Sequence, residues 1–454
     1  MISKVILEAT AGPLKGRRFV FEGHDTFVFG RSRDCHGHLS QDDKFSSRHH
    51  FLLEVNPPQA RIRDLGSLNG TYINGVKYGG RSSEETPQQA ISRGQAEVNL
   101  NDQDEIQVGD TVLRILVTST GNGVEIASCQ ICGNVISLEP STLPELRFCQ
   151  SCATTLQTSN CFSDEQLTEA TQLKTVIGDQ IAAYQIVDLL GRGGMGTVHR
   201  ARRLADGKMV ALKVMIAKVV VDDHARAMFL REIEITKELN HPNIVQLLDH
   251  GSKGSFFFFV MDLCPKGSLQ NLLEERRRAL SPEEVIPLIL DALDGIAFAH
   301  KGGIVHRDIK PENILLTLAG ERTRALIADF GLAKNFELAG LSGFTATGMA
   351  GGTPRFMPRE QLLHYRYVNP VSDLWSIGAT LYYVLTGKLP REFPAHRDPI
   401  EVVLRGGFIP LRDRDPKLPK DLCELIDRTL SDEPDRRPQS AEELSAQLRL
   451  VMNL

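Results

Sequence analysis

Through the first 117 positions, apolar residues alternate with polar ones or form short β-branched and aromatic runs. Turn-forming residues separate these runs, for example at Gly12-Pro13, Asn56-Pro57-Pro58 and Asn74-Gly75. Alternation of period two between such turns is typical of strands in an all-β sandwich. The sequence therefore predicts a sandwich over residues 1–117, with strands at Lys4–Glu8, Arg17–Phe21, Thr26–Phe29, His50–Val55, Ala60–Asp64 and Val112–Val117.

From about residue 183 to residue 449, strand-like and helical patterns are mixed. Tyr184–Leu190 and Val198–Arg202 have strand character, and residues 225–239 form a helical pattern. The all-apolar run Phe256–Met261 has the length of a buried strand.

The 454 residues are enough for two to four domains, taking roughly 150 residues per domain. Hydrophobic residues make up 41% and charged residues 24%, which is ordinary for a globular protein. The net charge of −5 offers no basic field for nucleic acid. No apolar run reaches the roughly 18 residues of a membrane span, and MISKVILEAT lacks the pattern of a secretory signal. We therefore expect a cytoplasmic protein with neither nucleic acid nor membrane as a partner.

Four of the eight cysteines lie in one short window, which we assign to a module at residues 127–155. Cys129-x2-Cys132 and Cys149-x2-Cys152 enclose sixteen residues, a spacing expected of a four-cysteine structural zinc site. The intervening segment is too short for a core, so a bound metal would supply much of its folding energy. Two disulfides or an iron–sulfur cluster are the alternatives. Residues 156–182, rich in Thr, Gln and Ser, are predicted to be a flexible tether.

Three strings in the first region suit a phosphate ligand: FGRS at 29–32, SRHH at 47–50 and NGTYING at 69–75. A phosphate binds an arginine fork and short hydroxyl or amide donors, which loops at one end of a sandwich can present. In this order the strings resemble the forkhead-associated (FHA) domain. The resemblance implies that Arg31 and Ser47 bind phosphothreonine, that Asn69 holds the peptide backbone and that His50 braces the loop.

The strings HRDIKPEN, residues 306–313, and DFG, residues 329–331, carry groups needed for phosphoryl transfer. That reaction needs a carboxylate to orient the acceptor hydroxyl, an amide and a second carboxylate for Mg²⁺, and a cation near the transferred phosphate. Asp308, Asn313, Asp329 and Lys310 supply these groups at a spacing that resembles the catalytic loop of Ser/Thr protein kinases.

The string GRGGMGTV, residues 191–198, leads into strands and is followed by VALK at 210–213, so it resembles the kinase phosphate loop more than a dinucleotide-binding turn. In this resemblance Glu232 is the ion-pair partner of Lys213, and Glu234 lies on another face of the helix. The implied ATP and Mg²⁺ ligands are Gly191, Gly193, Gly196, Val198, Lys213, the backbone of Asp262 and Cys264, and the side chains of Asn313 and Asp329.

Two further expectations concern the region around the catalytic loop. Pro358-Arg359-Glu360 stands where the family usually has Ala-Pro-Glu, with Arg437 as the expected partner of Glu360. Asp373 is expected to anchor the catalytic-loop backbone. Thr345 and Thr347 resemble paired autophosphorylation sites of bacterial kinases, although an ordinary solvated loop is the alternative.

The whole chain resembles a eukaryotic-type Ser/Thr protein kinase, with a two-lobed α+β fold, joined to an amino-terminal FHA domain by a zinc ribbon. The resemblance implies an enzyme that uses ATP and Mg²⁺ to phosphorylate protein Ser/Thr residues, with structural Zn²⁺. Its FHA domain would read phosphothreonine on partner proteins, on its own tether or on its activation loop. The alternative is a phosphopeptide-binding scaffold with an inactive kinase fold.

Overall fold

The computed structural model describes residues 4–41, 43–80, 97–118, 126–128, 135–137, 183–193, 196–217, 223–253, 256–330, 354–363, 368–394, 397–405 and 407–454. Contacts divide the chain into two compact units. The first unit contains the described residues of 1–120, 266–331 and 346–454, and the second contains those of 121–265.

Two sheets form the amino-terminal sandwich of the first unit, with strand orders β2-β1-β11-β10-β7-β8 and β4-β3-β5-β6-β9. Alternate residues of each strand point between the sheets, and Phe29 and Phe51 stack there with ring centroids 4.7 Å apart. The strands are β1 Lys4–Ala11, β2 Arg18–Phe21, β3 Asp25–Gly30, β4 Gly37–His38, β5 Phe51–Asn56, β6 Gln59–Asp64, β7 Thr71–Ile73, β8 Val76–Tyr78, β9 Glu97–Leu100, β10 Glu105–Val108 and β11 Thr111–Thr118.

All six strands predicted in this region are confirmed, with ends shifted by up to three residues. The turn at Asn74-Gly75 is confirmed as a two-residue hairpin, because Ile73 pairs with Val76 and both turn residues have positive φ. Five further strands, β4 and β7 to β10, were not predicted. Each has only two to four residues, which is too short for an alternation to be recognised.

The second unit contains a five-stranded sheet of order β14-β15-β16-β18-β17 and one long helix. Leu212, Val214 and Val260 are almost fully buried in its core, and Phe229 of the helix packs edge-to-face on Phe257 at 5.1 Å. A separate hairpin, β12 with β13, pairs antiparallel. The elements are β12 Ile126–Ser128, β13 Val135–Ser137, β14 Tyr184–Gly193, β15 Gly196–Arg203, β16 Met209–Ile216, α1 Asp223–Lys237, β17 Leu247–Lys253 and β18 Phe256–Asp262.

The remainder of the first unit is mainly helical and is built around α3, Pro282–Lys301, and α5, Pro370–Thr386. Ser281 and Glu284 form a capping box at the start of α3, and Asn369 caps α5. The buried Trp375 of α5 donates from Nε1 to the Leu430 carbonyl at 3.0 Å. The elements are α2 Leu269–Arg276, α3 Pro282–Lys301, β19 Ile314–Ala319, β20 Arg322–Ile327, α4 Arg359–Leu363, α5 Pro370–Thr386, α6 Pro399–Leu404, α7 Leu411–Arg414, α8 Lys420–Thr429 and α9 Ala441–Met452. None of the described helices is both long enough and apolar enough to cross a membrane.

Candidate functional site

The three loops predicted to bind a phosphate lie together at one end of the sandwich. The Arg31 backbone N–H donates to the Ser47 carbonyl at 3.0 Å, which joins the first loop to the second. The Leu68 backbone N–H donates to Ser47 Oγ at 3.1 Å, and Asn69 Nδ2 donates to the Phe45 carbonyl at 2.7 Å. Arg31, Ser47 and Asn69, which are 38 positions apart at most, are thus carried by loops that hydrogen-bond to one another.

His50 lies beneath these loops and is fully buried. Its Nδ1 accepts from the Ser47 backbone N–H at 3.0 Å, so its Nε2 carries the proton and donates to the Gly70 carbonyl at 3.1 Å. Burial lowers the pKa of His50 below its usual value, although the Asp64 carboxylate opposes this. The prediction that His50 braces the loop is confirmed.

Asp64, at the end of β6, is a structural residue of this site that the sequence analysis missed. Its carboxylate accepts from the Ser67 backbone N–H at 2.9 Å, from Ser67 Oγ at 2.7 Å and from Thr71 Oγ1 at 2.9 Å. These bonds fix the loop that carries Asn69. The S-x-x-G-T spacing after an aspartate, with Ser67 and Thr71 three and seven positions on, was the available signal.

In the predicted catalytic loop, two predicted residues converge on the carboxylate of a third, Asp308. Lys310 Nζ donates to Asp308 Oδ2 at 2.7 Å, and Asn313 Nδ2 donates to the same oxygen at 3.0 Å. Asn313 Nδ2 also donates to the Asp308 backbone carbonyl at 2.7 Å. Burial alone would lower the pKa of Lys310, but its pairing with Asp308 raises that pKa above the usual value.

Asp373 of α5 anchors the backbone of this loop, as the sequence predicts. Its two carboxylate oxygens accept from the backbone N–H groups of His306 and Arg307, both at 2.8 Å, and His300 Nε2 contacts it at 2.8 Å. Burial would raise the pKa of Asp373, but the hydrogen bond with His300 and the other donors hold it below its usual value. A charged carboxylate therefore fixes the backbone immediately before Asp308.

The residue before Asp308 and the candidate Mg²⁺ ligand Asp329 have unusual backbone conformations. Arg307 has φ +68° and Asp329 has φ +63°, in the left-handed region that costs free energy for residues with a side chain. Buried His306 accepts from the Asp308 N–H through Nδ1 and donates to the Ala328 carbonyl at 2.8 Å, which links the loop to the residue before Asp329. Such strained positions cluster where surrounding contacts impose a functional geometry.

The predicted ion pair between Glu360 and Arg437 is confirmed. The guanidinium of Arg437 donates to both carboxylate oxygens of Glu360, at 2.6 and 3.0 Å, and is almost completely buried. One residue before Glu360, Arg359 contacts Asp34 of the sandwich. Nothing in the sequence analysis predicted this second contact.

In the second unit, the predicted phosphate loop is the hairpin that joins β14 to β15. Gly193 pairs with Gly196 at its end, and a Cβ added to Gly196 would lie 1.8 Å from the Val214 carbonyl oxygen, so only glycine fits there. Lys213 on β16 is paired with Val198 of β15, which places two predicted ATP ligands side by side on the sheet. The side chain of Glu232, on α1, lies outside the described residues, so its pairing with Lys213 remains a prediction.

Asp262 and Cys264, predicted to meet an adenine edge through their backbone, lie at and just after the end of β18. The Asp262 N–H donates to the Gln246 carbonyl at 3.1 Å, and its carboxylate accepts from Lys208 Nζ at 2.7 Å. Burial raises the pKa of the Cys264 thiol to about 12, so this cysteine is an unreactive thiol at neutral pH.

Several predicted features lie outside the described residues, namely the four zinc ligands Cys129, Cys132, Cys149 and Cys152, the predicted tether, Gly331, Thr345 and Thr347. Strands β12 and β13 pair on either side of the first cysteine pair, with Ser128 opposite Val135.

Elsewhere among the described residues, ligand atoms of Asp34, Cys35 and His49 lie within 4.8 Å of one another. Arg359 already faces Asp34 there, and burial raises the pKa of Cys35 to about 12, so the group is poorly suited to a cation.

Comparison with known proteins gives two family matches. Residues 184–448 match the protein kinase domain, and residues 27–109 match the FHA domain. The chain is 32% identical over 264 residues to serine/threonine-protein kinase pkn2 of Myxococcus xanthus, covering 58% of this chain and 31% of that protein. It is 32% identical over 273 residues to serine/threonine-protein kinase PknB of Mycobacterium leprae, covering 58% and 42%.

Among solved structures, the PknI kinase domain of Mycobacterium tuberculosis aligns with a TM-score of 0.48 and 24% identity, covering 60% of this chain and 97% of that one. The chain spans about a third to a half of the length of the curated relatives it matches.

Proposed function

The chain belongs to the protein kinase family, and we propose that it is an active enzyme that transfers the γ-phosphoryl group of ATP to serine or threonine hydroxyls of proteins. The arrangement around Asp308 carries this proposal. Lys310 and Asn313 both donate to its carboxylate, and Asp373 fixes the backbone that precedes it. In phosphoryl transfer, positioning and electrostatic stabilisation supply almost all of the catalysis, so fixed charged groups are the feature that matters.

In this proposal Asp308 orients the acceptor hydroxyl and accepts its proton, and Lys310 neutralises charge that develops on the transferred group. The donor chemistry fits Mg²⁺, which prefers oxygen ligands such as the Asn313 amide and the Asp329 carboxylate. The Asn313 nitrogen is held by Asp308, which directs the oxygen of the same amide away from that carboxylate. Bound Mg-ATP would supply the phosphoryl group and neutralise part of its charge.

Lys213 and the backbone of Gly191, Gly193, Gly196 and Val198 would hold the ATP phosphates, with Glu232 orienting Lys213. The backbone groups of Asp262 and Cys264 would pair with adenine. The glycine-rich hairpin, in which Gly193 pairs with Gly196, supports this assignment, because a phosphate loop needs backbone free of side chains.

The competing hypothesis, a scaffold with a silent kinase fold, is not favoured, because Lys213, Asp308, Asn313 and Asp329 are all present. Mass-spectrometric mapping of phosphosites after incubation with Mg-ATP tests the enzyme hypothesis. We expect phosphoserine or phosphothreonine on the chain itself, with Thr345 and Thr347 as the first candidates. A chain that gains no phosphate on itself or on a generic basic protein would favour the scaffold.

We further propose that the FHA domain binds phosphothreonine through Arg31 and Ser47, with Asn69 holding the peptide backbone. The convergence of the three loops over His50 supports this. The phosphothreonine would come from this kinase, on the tether or activation loop, or from separate phosphorylated proteins that the domain recruits. A structural zinc ion held by Cys129, Cys132, Cys149 and Cys152 completes the proposal, supported by the hairpin around the first pair.

A further inference from the structure

One strand of the sandwich, β5, is buried on both of its faces. Phe51, Leu53 and Val55 point into the sandwich core, as alternation requires. Leu52 points the other way, as does its cross-strand partner Val28 on β3, yet their exposed fractions are 2% and 0%. In a sandwich the outer face normally meets solvent, so something covers this part of the sheet.

The cover is the helical part of the same unit. Buried residues of the sandwich and of helices α4 and α6 form one apolar cluster. The sandwich contributes Val28, Cys35, Leu52 and Leu65, and the helices contribute Leu363, Ile400 and Leu404. Burial of such side chains is worth roughly 1.5–3 kcal/mol each relative to exposure. The cluster is therefore large enough to hold two folded domains together.

Two ion pairs of opposite polarity flank this apolar patch. Asp34 of the sandwich pairs with Arg359 of α4, and Arg63 of the sandwich lies 3.4 Å from Asp398, the residue that caps α6. The side chains of both pairs are partly or mostly buried, so the cost of desolvation offsets much of their attraction. A complementary arrangement of charges nevertheless fixes which surfaces meet and in which orientation. Arg359 thereby gains a role that the proline usual at this position could not fill.

The Asp34–Arg359 pair also connects the two candidate sites through consecutive contacts. Asp34 lies three residues after Arg31, and another of its partners, His49 at 3.3 Å, lies two residues after Ser47. On the other side, Gln361 follows Arg359 by two residues, and its Nε2 donates to the Arg307 carbonyl at 2.6 Å, next to Asp308.

We propose that the FHA domain is docked in cis on the carboxyl-terminal part of its own kinase domain through this patch, and that the Asp34–Arg359 pair couples the phosphate-binding loops to the catalytic loop. Because both surfaces belong to one polypeptide, the effective concentration is about millimolar, which favours this arrangement over docking on a second copy. The coupling rests on the phosphothreonine-binding function proposed above, whereas the docking does not.

Thiol labelling of the intact chain tests the docking. Cys35 lies in the apolar cluster, while Cys423 is equally buried in α8, away from it, and reports on unfolding of the helical part. In Leu52→Glu, and in Arg359→Asp, we expect alkylation of Cys35 to accelerate about tenfold or more, with Cys423 unchanged and the radius of gyration increased. Combining Asp34→Arg with Arg359→Asp should restore slow labelling. Val20→Glu is the matched control, because Val20 is 52% exposed on β2.

Unchanged Cys35 labelling and unchanged scattering in both docking variants would overturn the docking. A wild-type chain that sediments as a dimer and dissociates in Leu52→Glu would overturn the cis arrangement in favour of a second copy.

The coupling is tested by titrating a pool of phosphothreonine peptides into full-length variants. Arg359 offsets the negative charge of Asp34 beside the phosphate site, so Arg359→Ala should weaken binding about three- to tenfold, by Coulomb's law at this range. Arg355→Ala, an exposed arginine four residues earlier, removes the same charge and should leave the affinity unchanged. Equal affinities of wild type and Arg359→Ala would overturn the coupling. Absence of peptide binding by the wild type would instead refute the proposed FHA function and leave the docking result standing.

Discussion

The side-chain nitrogen of Asn313 donates to Asp308 twice, to its backbone carbonyl at 2.7 Å and to its carboxylate at 3.0 Å. This pairing fixes the orientation of both side chains. It leaves the amide oxygen of Asn313 available to bind a metal ion, and the Asp308 carboxylate available to accept a hydrogen bond from an acceptor hydroxyl. Two residues five positions apart in one loop thus fix the relative positions of two groups with different chemical tasks.

The anchor of this loop gives the first prediction. Asp373→Asn replaces one of the two accepting oxygens with a donor, so the backbone N–H groups of His306 and Arg307 cannot both be satisfied. We expect kcat to fall about 10²-fold, because small displacements of catalytic groups have effects of this size, with little change in KM for ATP. Steady-state kinetics of the variant and the wild type measures kcat and KM for ATP. A variant that loses ATP affinity but keeps kcat would contradict the anchoring role.

The buried histidine of the sandwich gives a pH prediction. The folded-state pKa of His50 lies below its usual value, so below about pH 6.5 the unfolded chain takes up a proton that the folded chain does not. The contribution of this histidine to the free energy of unfolding should therefore be constant above neutral pH and fall by at most about 1.4 kcal/mol per pH unit as the pH drops below 6.5. Hydrogen exchange of β5 amides between pH 7.5 and pH 5.5 measures this change. Greater protection at pH 5.5 would mean that His50 is charged in the folded protein.

The predicted four-cysteine module leads us to expect zinc in the purified protein. Purified protein should carry about one Zn²⁺, and Cys149→Ser should lose it, because structural zinc sites need all four thiolates. Cys161→Ser removes a cysteine outside the predicted set and should keep the metal. Elemental analysis that finds no zinc, or iron accompanied by visible absorption, would contradict the zinc assignment.

The proposed phosphate-binding role of the FHA loops predicts that binding can be lost while the fold is kept. Arg31→Ala removes the arginine fork and should abolish binding of phosphothreonine peptides, while the sandwich stays folded because its core lies elsewhere. Fluorescence anisotropy with labelled peptides measures the affinity, and circular dichroism checks the fold. If Arg31→Ala binds as tightly as wild type, the phosphate is held by other residues.

Local sequence patterns were sufficient for most of the kinase site and of the sandwich. HRDIKPEN is contiguous, and the contacts of Asp308 with Lys310 and Asn313 lie within these eight residues, so this grouping could be expected from the string alone. His50, Asp373 and the Glu360–Arg437 pair were also predicted, because each belongs to a family motif. The structure confirms their contacts.

The contact between Asp34 and Arg359 could not be predicted, because 325 positions separate the two residues and no periodicity relates them. The burial of both faces of β5 could be anticipated from Phe51-Leu52-Leu53, since three consecutive apolar residues suggest a strand covered on both faces. The sequence does not say which surface provides the cover. Asp64 was missed for a different reason, because its importance lies in how many donors it satisfies.

The proposal that this chain is an active protein kinase whose chemistry depends on Asp308 is tested most directly by transfer of radiolabelled γ-phosphate from ATP to the chain itself and to a generic basic protein. The comparison is between wild type, Asp308→Asn and Asp294→Asn, the last being the same change at an exposed position of α3. We predict that wild type and Asp294→Asn label equally and that Asp308→Asn is slower by about 10²-fold or more. Equal labelling by Asp308→Asn, or no labelling by wild type, would contradict the claim.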